Sequence, residues 1–400
     1  MSATVIFHVD CDAFFASVEA LSHPEAAGKP MAVCGAPEKR HGIILAKNQL
    51  AKQAGVRTAE PIWQARRKCP GLILLPPHHA LYEEYCDRAN AIYERFTDRV
   101  ERAGIDESYL DVTGLYGMSA TGAEIADAIR EAVRTELGIT VSVGASFCRI
   151  FAKMGSDLKK PDSTNVITRG NYENLLHPLP VGAMMSVGKV TERKLAGLGI
   201  HTVGQLAALG EATLVKLLGK HGATLYRYAN GLDDEPVVKT EDLEDVKSVG
   251  NSTTFRRDLT SADDIKTGLR ALSESVAYRL RKHGKKCCGV QISIKDTALN
   301  TIDRQTRLAE PTHLEKPIYE AALELALKSW KAGRPIRMLS VTAINLTDGD
   351  GGEQLTLFGD SAEAAKREAL ARSVDALKRR YGKSVIKPAS LLKNDLGIDE

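Results

Sequence analysis

Val5, Ile6, Phe7, His8 and Val9 form a mostly apolar run that stops on two carboxylates, Asp10 and Asp12, in the stretch HVDCDAFFASVEA. Such a run has the composition of a buried strand, and charge is tolerated only where the strand ends. Side chains two apart on an extended chain point to one face, so Asp10 and Asp12 repel each other there unless something positive stands between them. A divalent cation is the simplest such group. Strand-end and helix-capping aspartates give the same pattern, and the pair alone leaves both readings open.

Downstream, the periodicity predicts a helix from Ala13 to Leu21, a short strand at 30–35, GIILA at 42–46 leading into another helix, and an amphipathic helix over 80–97. Residues 100–114, VERAGIDESYLDVTG, alternate as strands or a hairpin do, and a helix over 123–137, a strand over 140–146 and a helix over 149–159 follow. This order predicts an α+β palm-like sheet with a small helical insertion after its first strand. Residues 166–236 read as helices joined by Gly turns, the acidic run at 241–245 as a linker, and the region beyond it as a second, βαββαβ unit. The tail from 346 opens rich in Gly and Asp and closes on an amphipathic helix near 362–381.

A chain of 400 residues has room for several domains at roughly 150 residues each. No apolar run approaches the ~18 residues of a membrane span, and the N-terminus lacks the basic and apolar regions of a signal peptide, so the expectation is a cytoplasmic protein with no membrane partner. The 7 cysteines are odd in number and show no CxxC spacing, which argues against a disulfide framework and a structural zinc site. Net charge is only +3, but residues 248–345 hold 17 Lys and Arg against 10 Asp and Glu. That block contains RKHGKK at 281–286 and the pair Arg256 and Arg257. It reads as a surface that meets phosphates or as a solvated basic face.

The second acidic pair, Asp106 and Glu107, falls on a predicted strand. If the first strand is central in the sheet, Asp10 lies on its neighbour and three carboxylates converge. Such a cluster raises its own pKa values or binds hard cations. Two Mg²⁺ ions bridged by carboxylates are the standard arrangement for in-line phosphoryl transfer, and the backbone carbonyl of Cys11 can complete one ion's sphere.

HVDCDAFF, GIDESYLDVTG and AKMGSDLKKP at 152–161, in that order, resemble the three palm motifs of the Y-family translesion DNA polymerases. The resemblance runs continuously from about residue 4 to 345. It implies a right-hand architecture: a ferredoxin-like palm at 1–10 and 71–165, fingers at 11–70, a helix-hairpin-helix thumb at 166–240, a linker at 241–246, a βαββαβ little finger at 247–345 and a tail at 346–400. It further implies template-directed, low-fidelity DNA synthesis with two Mg²⁺ ions and no proofreading exonuclease, by a monomer that takes primer-template DNA and dNTP.

Carried over residue by residue, the resemblance makes Asp10, Asp106 and Glu107 the metal carboxylates and Phe15 the steric gate against a ribose 2′-OH. Phe14 lines the nucleotide pocket and Tyr82 packs the sugar or the neighbouring base, although both Phe15 and Tyr82 also fit as core rings on helices. Lys160 meets the triphosphate, with Arg149 and Lys153 as supporting basic residues. Two family positions on the triphosphate differ here: Gln49 replaces a tyrosine and Lys52 an arginine, which keeps the charge and loses the bidentate fork. In the thumb, Val187, Gly188 and Lys189 fit a hairpin that grips a DNA backbone, while Met185 and Ser186 stand where the family has Pro-Gly. Arg256, Arg257, Lys285 and Lys286 are the phosphate contacts expected of the little finger. In the tail, Gln354, Leu355, Leu357 and Phe358 of QLTLF resemble a peptide that binds the sliding clamp, the β subunit of the replicative polymerase. A nucleotide cyclase shares the sheet and two metals but leaves hairpin, basic domain and peptide without a purpose. A catalytically dead scaffold is at odds with the intact carboxylates.

Overall fold

The computed structural model describes residues 4–35, 42–115, 122–242, 246–331, 333–349, 361–382, 385–392 and 394–398. The chain divides into two compact units, with the boundary between residues 243 and 244. No helix among the described residues is long and apolar enough to cross a membrane.

In the first unit, β1 (Ile6–Cys11) leads into α1 (Phe14–Ser22). An insertion follows, with β2 (Met31–Cys34), β3 (Ile44–Lys47), α2 (Gln49–Gln53), α3 (Ile62–Lys68) and β4 (Ile73–Leu75). Then come α4 (His79–Tyr93), β5 (Val100–Arg102), β6 (Glu107–Asp111), α5 (Gly122–Leu137), β7 (Val141–Ser146), α6 (Arg149–Leu158) and β8 (Thr164–Val166). The main sheet has the order β5-β6-β1-β7-β8, so the first strand is central and buried along its whole length, in keeping with its mostly apolar run. Period-two alternation sends Phe7, Val9 and Cys11 into a core shared with α4 and α5. Ile6, His8 and Asp10 take the opposite face, where Ile6 meets Ala152 of α6.

Helix α6 lies unusually close to the sheet. His8 of β1 pairs with Gly144 of β7, and a Cβ on Gly144 would fall inside the contact radius of the Ala152 carbonyl and the Ser156 amide. Only a glycine lets the helix settle there, and that descent brings α6 side chains down to Asp10.

The insertion holds more sheet than its helical character suggests, because the strand expected at 30–35 joins β3 and β4 in a sheet of order β3-β2-β4. The parallel pairing of β2 with β4 joins segments remote in sequence, which local periodicity does not reveal. Beyond β8, the helices α7 (Tyr172–Leu176), α8 (Lys189–Ala196), α9 (Val203–Ala207), α10 (Glu211–Leu218) and α11 (Lys220–Ala229) share a core around Leu195, Leu206, Leu214 and Leu225.

The second unit is built from β9 (Ser248–Leu259), α12 (Ala262–Lys282), β10 (Lys285–Asp296), β11 (Thr301–Thr312), α13 (Glu315–Ser329) and β12 (Ile336–Asp348). Its antiparallel sheet runs β11-β10-β12-β9, the βαββαβ order read from the sequence. The closing helix α14 (Ser361–Tyr381) docks on this unit through Asp375, which holds Arg281 at 2.6 Å. Leu396 then buries itself in the same core.

Candidate active site

Strand β1 delivers Asp10 to the face covered by α6, and the antiparallel register sets Glu107 of β6 directly opposite. Asp106 comes just before β6, and its carbonyl accepts a hydrogen bond from the Cys11 amide at 2.9 Å. The two acidic motifs, remote in sequence, are thereby tied together. Lys153 of α6 reaches Glu107 at 2.5 Å and Asp10 at 3.4 Å. Lys160 reaches Asp10 at 2.6 Å and Asp157 at 3.0 Å. Asp106 makes no ion pair among the described residues.

Electrostatics separate the three carboxylates. Burial lifts Asp10 above the ordinary aspartate value and outweighs the lowering from Lys160. Asp106 is lifted too, by burial and then by the charges of Asp10 and Glu107. Glu107 goes the other way, held below the usual carboxylate range by the His8 imidazole at 3.5 Å and by Lys153. Burial works against the charge on Lys160, yet Asp10 and Asp157 keep its ammonium above the ordinary lysine value.

As the side chains lie, no three His, Cys, Asp or Glu groups among the described residues stand close enough to hold a metal ion. The expected shell of Asp10, Asp106 and Glu107 is therefore not preassembled, because Lys153 bridges Asp10 and Glu107 and Lys160 holds the other oxygen of Asp10. The donor set still fits a hard divalent cation. It offers only carboxylate oxygens, and Asp106 is half-buried beside two like charges with no cation of its own.

Asp12 does not share this face. Strand β1 ends at Cys11, and the Asp12 carboxylate accepts from the Thr140 and Ser142 hydroxyls at 2.9 and 2.8 Å and from the Asp162 amide at 2.8 Å. Its role is to fasten the segment after Lys160 to the sheet. Arg149 is likewise drawn away, to Glu101 at 2.6 Å and the Pro236 carbonyl at 2.7 Å, so it does not join Lys160.

On α1, the helix that follows β1, the half-buried Phe15 ring stacks on Tyr82 at 4.0 Å and 12°. Phe14 is buried, 5.9 Å from Phe15. Tyr82 has no exposed surface to offer a sugar or a base and stands as the core ring that its helical position also allowed. The Phe15 and His79 rings cover it, and it backs Phe15 from inside the protein. Gln49 and Lys52 are exposed on α2, whose start is capped by the Asn48 side chain. Lys47 is a basic neighbour that the motif comparison passed over: burial and then the charge of Lys52 lower its pKa. The lysine that opens KNQLAKQ, five residues before Lys52, is the signal for it in the sequence.

In the helical region, Gly188 precedes α8, Lys189 is its exposed first residue, and Val187 packs beneath. Ser186 has φ 70°, a left-handed conformation that glycine adopts without strain, so the serine stands where the backbone asks for glycine. In the second unit, three of the four expected cations are paired with acidic side chains, and Arg256 is exposed. Arg257 lies between Asp264 at 2.9 Å and Asp395 at 2.7 Å. Lys285 pairs with Asp348 at 2.7 Å, and Lys286, nearly buried, lies 3.7 Å from Glu368. The Arg256 amide donates to the Leu396 carbonyl at 3.1 Å. Charge counting along the chain does not see these partners, which come from α12, β12 and the tail. Gln354, Leu355, Leu357 and Phe358 lie outside the described residues.

Carboxylates on adjacent antiparallel strands, with lysines poised over them, are the arrangement of a metal-dependent nucleotidyltransferase of the polymerase class. The impB/mucB/samB family model matches residues 9–157, its C-terminal domain model matches 246–357, and a DNA polymerase-iota thumb domain model matches 183–233. DNA polymerase IV of Acetivibrio thermocellus is 44% identical over 395 residues, covering 99% of both chains. DNA polymerase IV 1 of Bacillus subtilis is 37% identical, covering 98% of this chain and 94% of that one. Among solved structures, a Y-family DNA polymerase chimera superposes with a TM-score of 0.77 at 26% identity, over 86% of this chain and 99% of the chimera. The chain belongs to the Y family of DNA polymerases, in its DNA polymerase IV branch. Its activity is DNA-directed DNA synthesis on a primer-template from dNTPs, dependent on divalent metal.

Proposed function

We propose that this chain performs translesion synthesis as a cytoplasmic monomer, adding dNMP to a primer 3′-OH with two Mg²⁺ ions held by Asp10, Asp106, Glu107 and the Cys11 carbonyl. The observation that carries the proposal is the pairing of Asp10 with Glu107 beside a half-buried Asp106 that makes no ion pair among the described residues, with two lysines that can exchange carboxylate for phosphate. The ions, when bound, assist deprotonation of the 3′-OH and neutralise charge on the phosphates. Lys160 offers its ammonium to the departing pyrophosphate, while Lys52 and Gln49 hold the outer phosphates. Phe15 closes the space beside C2′. The thumb amides at Val187, Gly188 and Lys189 take the DNA backbone. The palm at 1–10 and 71–165, fingers at 11–70, thumb at 166–240 and little finger at 247–345 divide this work.

Chelator-treated protein should give no extension of a primed template, and Mg²⁺ should restore it. Extension in the presence of excess chelator, or NTP turnover without DNA, refutes the reading.

We further infer that QLTLF tethers the polymerase to the sliding clamp. A tethered peptide raises the effective concentration at the primer end without altering the active site. Deleting Gln354 to Phe358 should abolish stimulation by the clamp and preserve synthesis without it. Equal stimulation of the deleted form rejects the tether.

A further inference from the structure

Phe15 and Glu19 are four residues apart on α1 and so lie on one face of the helix, a turn apart. Tyr82 spans both. Its ring stacks on Phe15 at 4.0 Å, and its hydroxyl donates to the Glu19 carboxylate. His78, one turn before Tyr82, bonds the same Glu19 oxygen at 2.9 Å, and His23 lies 3.8 Å from the other. Glu19 is only 1% exposed. A buried carboxylate in an otherwise aromatic cluster is costly unless its hydrogen bonds do something an apolar residue would not. Here they fix where the Tyr82 ring stands against Phe15.

We propose that Glu19 is a positioning residue for sugar selection. By holding the Tyr82 hydroxyl it locks the Tyr82 ring, and the locked ring prevents Phe15 from retreating when a ribose 2′-OH presses on it. This rests on the reading of Phe15 as the steric gate. A displacement of about 1 Å at a positioning group can change rates by about 10²-fold, so a gate backed by a loose ring excludes ribonucleotides poorly. Glu19 touches neither nucleotide nor metal. It acts only through Tyr82.

The test is single-nucleotide incorporation, comparing kcat/KM for a dNTP and the matching NTP in Glu19→Ala, Glu19→Gln, Tyr82→Phe, Glu19→Ala with Tyr82→Phe, and Phe15→Ala, each with its thermal midpoint. Glu19→Ala should lower the dNTP preference about tenfold, mainly through a lower KM for the NTP. Glu19→Gln, whose amide oxygen still accepts from Tyr82, should retain most of the preference. The double variant should do no worse than Glu19→Ala alone, since the two residues act as one unit. A purely structural carboxylate would lower the midpoint and leave the ratio unmoved. An unchanged ratio in Glu19→Ala, alongside lost exclusion in Phe15→Ala, overturns the proposal. Continued exclusion in Phe15→Ala overturns the gate reading instead. If Glu19→Ala does not fold, Tyr82→Phe decides, and a native ratio there is equally fatal to the proposal.

Discussion

Asp106→Ala is expected to lower primer extension by about 10³-fold or more while leaving DNA binding and thermal stability intact. The size follows from charge. A metal site supplies several kcal/mol to phosphoryl transfer, and each 1.36 kcal/mol is tenfold in rate, so losing about 4 kcal/mol costs about 10³. The unaltered stability follows from the environment of Asp106, whose carboxylate is raised by burial and by Asp10 and Glu107 and makes no ion pair among the described residues. Removing it relieves repulsion. Asp10→Ala should be equally inactive but also less stable, because it strips Lys160 of its 2.6 Å partner and Lys153 of one of its three. Extension rates, filter binding and thermal midpoints on the two variants separate the roles. Extension within tenfold of the native rate in Asp106→Ala would remove it from the metal site.

That contrast between two aspartates also marks what sequence carries and what it does not. The strand ending in Asp10, the strand opening on Glu107 and the helix bearing Phe15 are local patterns, and the structure has them in place. Their convergence was inferable because a central first strand in a βαββ order leaves few alternatives. The role of Asp12 was not, because its partners Thr140, Ser142 and Asp162 come from the far side of the palm sequence. The same holds for the acidic partners of Arg257, Lys285 and Lys286, since Asp395, Asp348 and Glu368 reach them only in the folded chain. Charge composition records the sign of side chains and is blind to tertiary pairing. Tyr82 shows the third kind of gap, since a helical stripe says that a ring is inward-facing but not that another ring stands in front of it.

Gly144→Ala is expected to destabilise the first unit by about 3 kcal/mol or more, at or beyond the upper end of ordinary overpacking. The usual escape from overpacking is rotation of a neighbouring side chain. Here the obstructing atoms are backbone, the Ala152 carbonyl, the Ser156 amide and the Gly155 carbonyl carbon, so α6 itself has to lift off β7. Gly155 faces the same contact from the helix side, where a Cβ would come 3.1 Å from the Gly144 Cα. Lifting α6 also withdraws Lys153 from Asp10 and Glu107 and Ser156 from His8, so protein that remains folded at low temperature should extend primers slowly. Gly71→Ala is the matched control, since nothing lies within 4 Å of a Cβ there. Denaturant midpoints for the two variants decide the matter. Equal midpoints would mean that the helix can shift at no cost, and that the close approach does not fix Lys153 above the carboxylates.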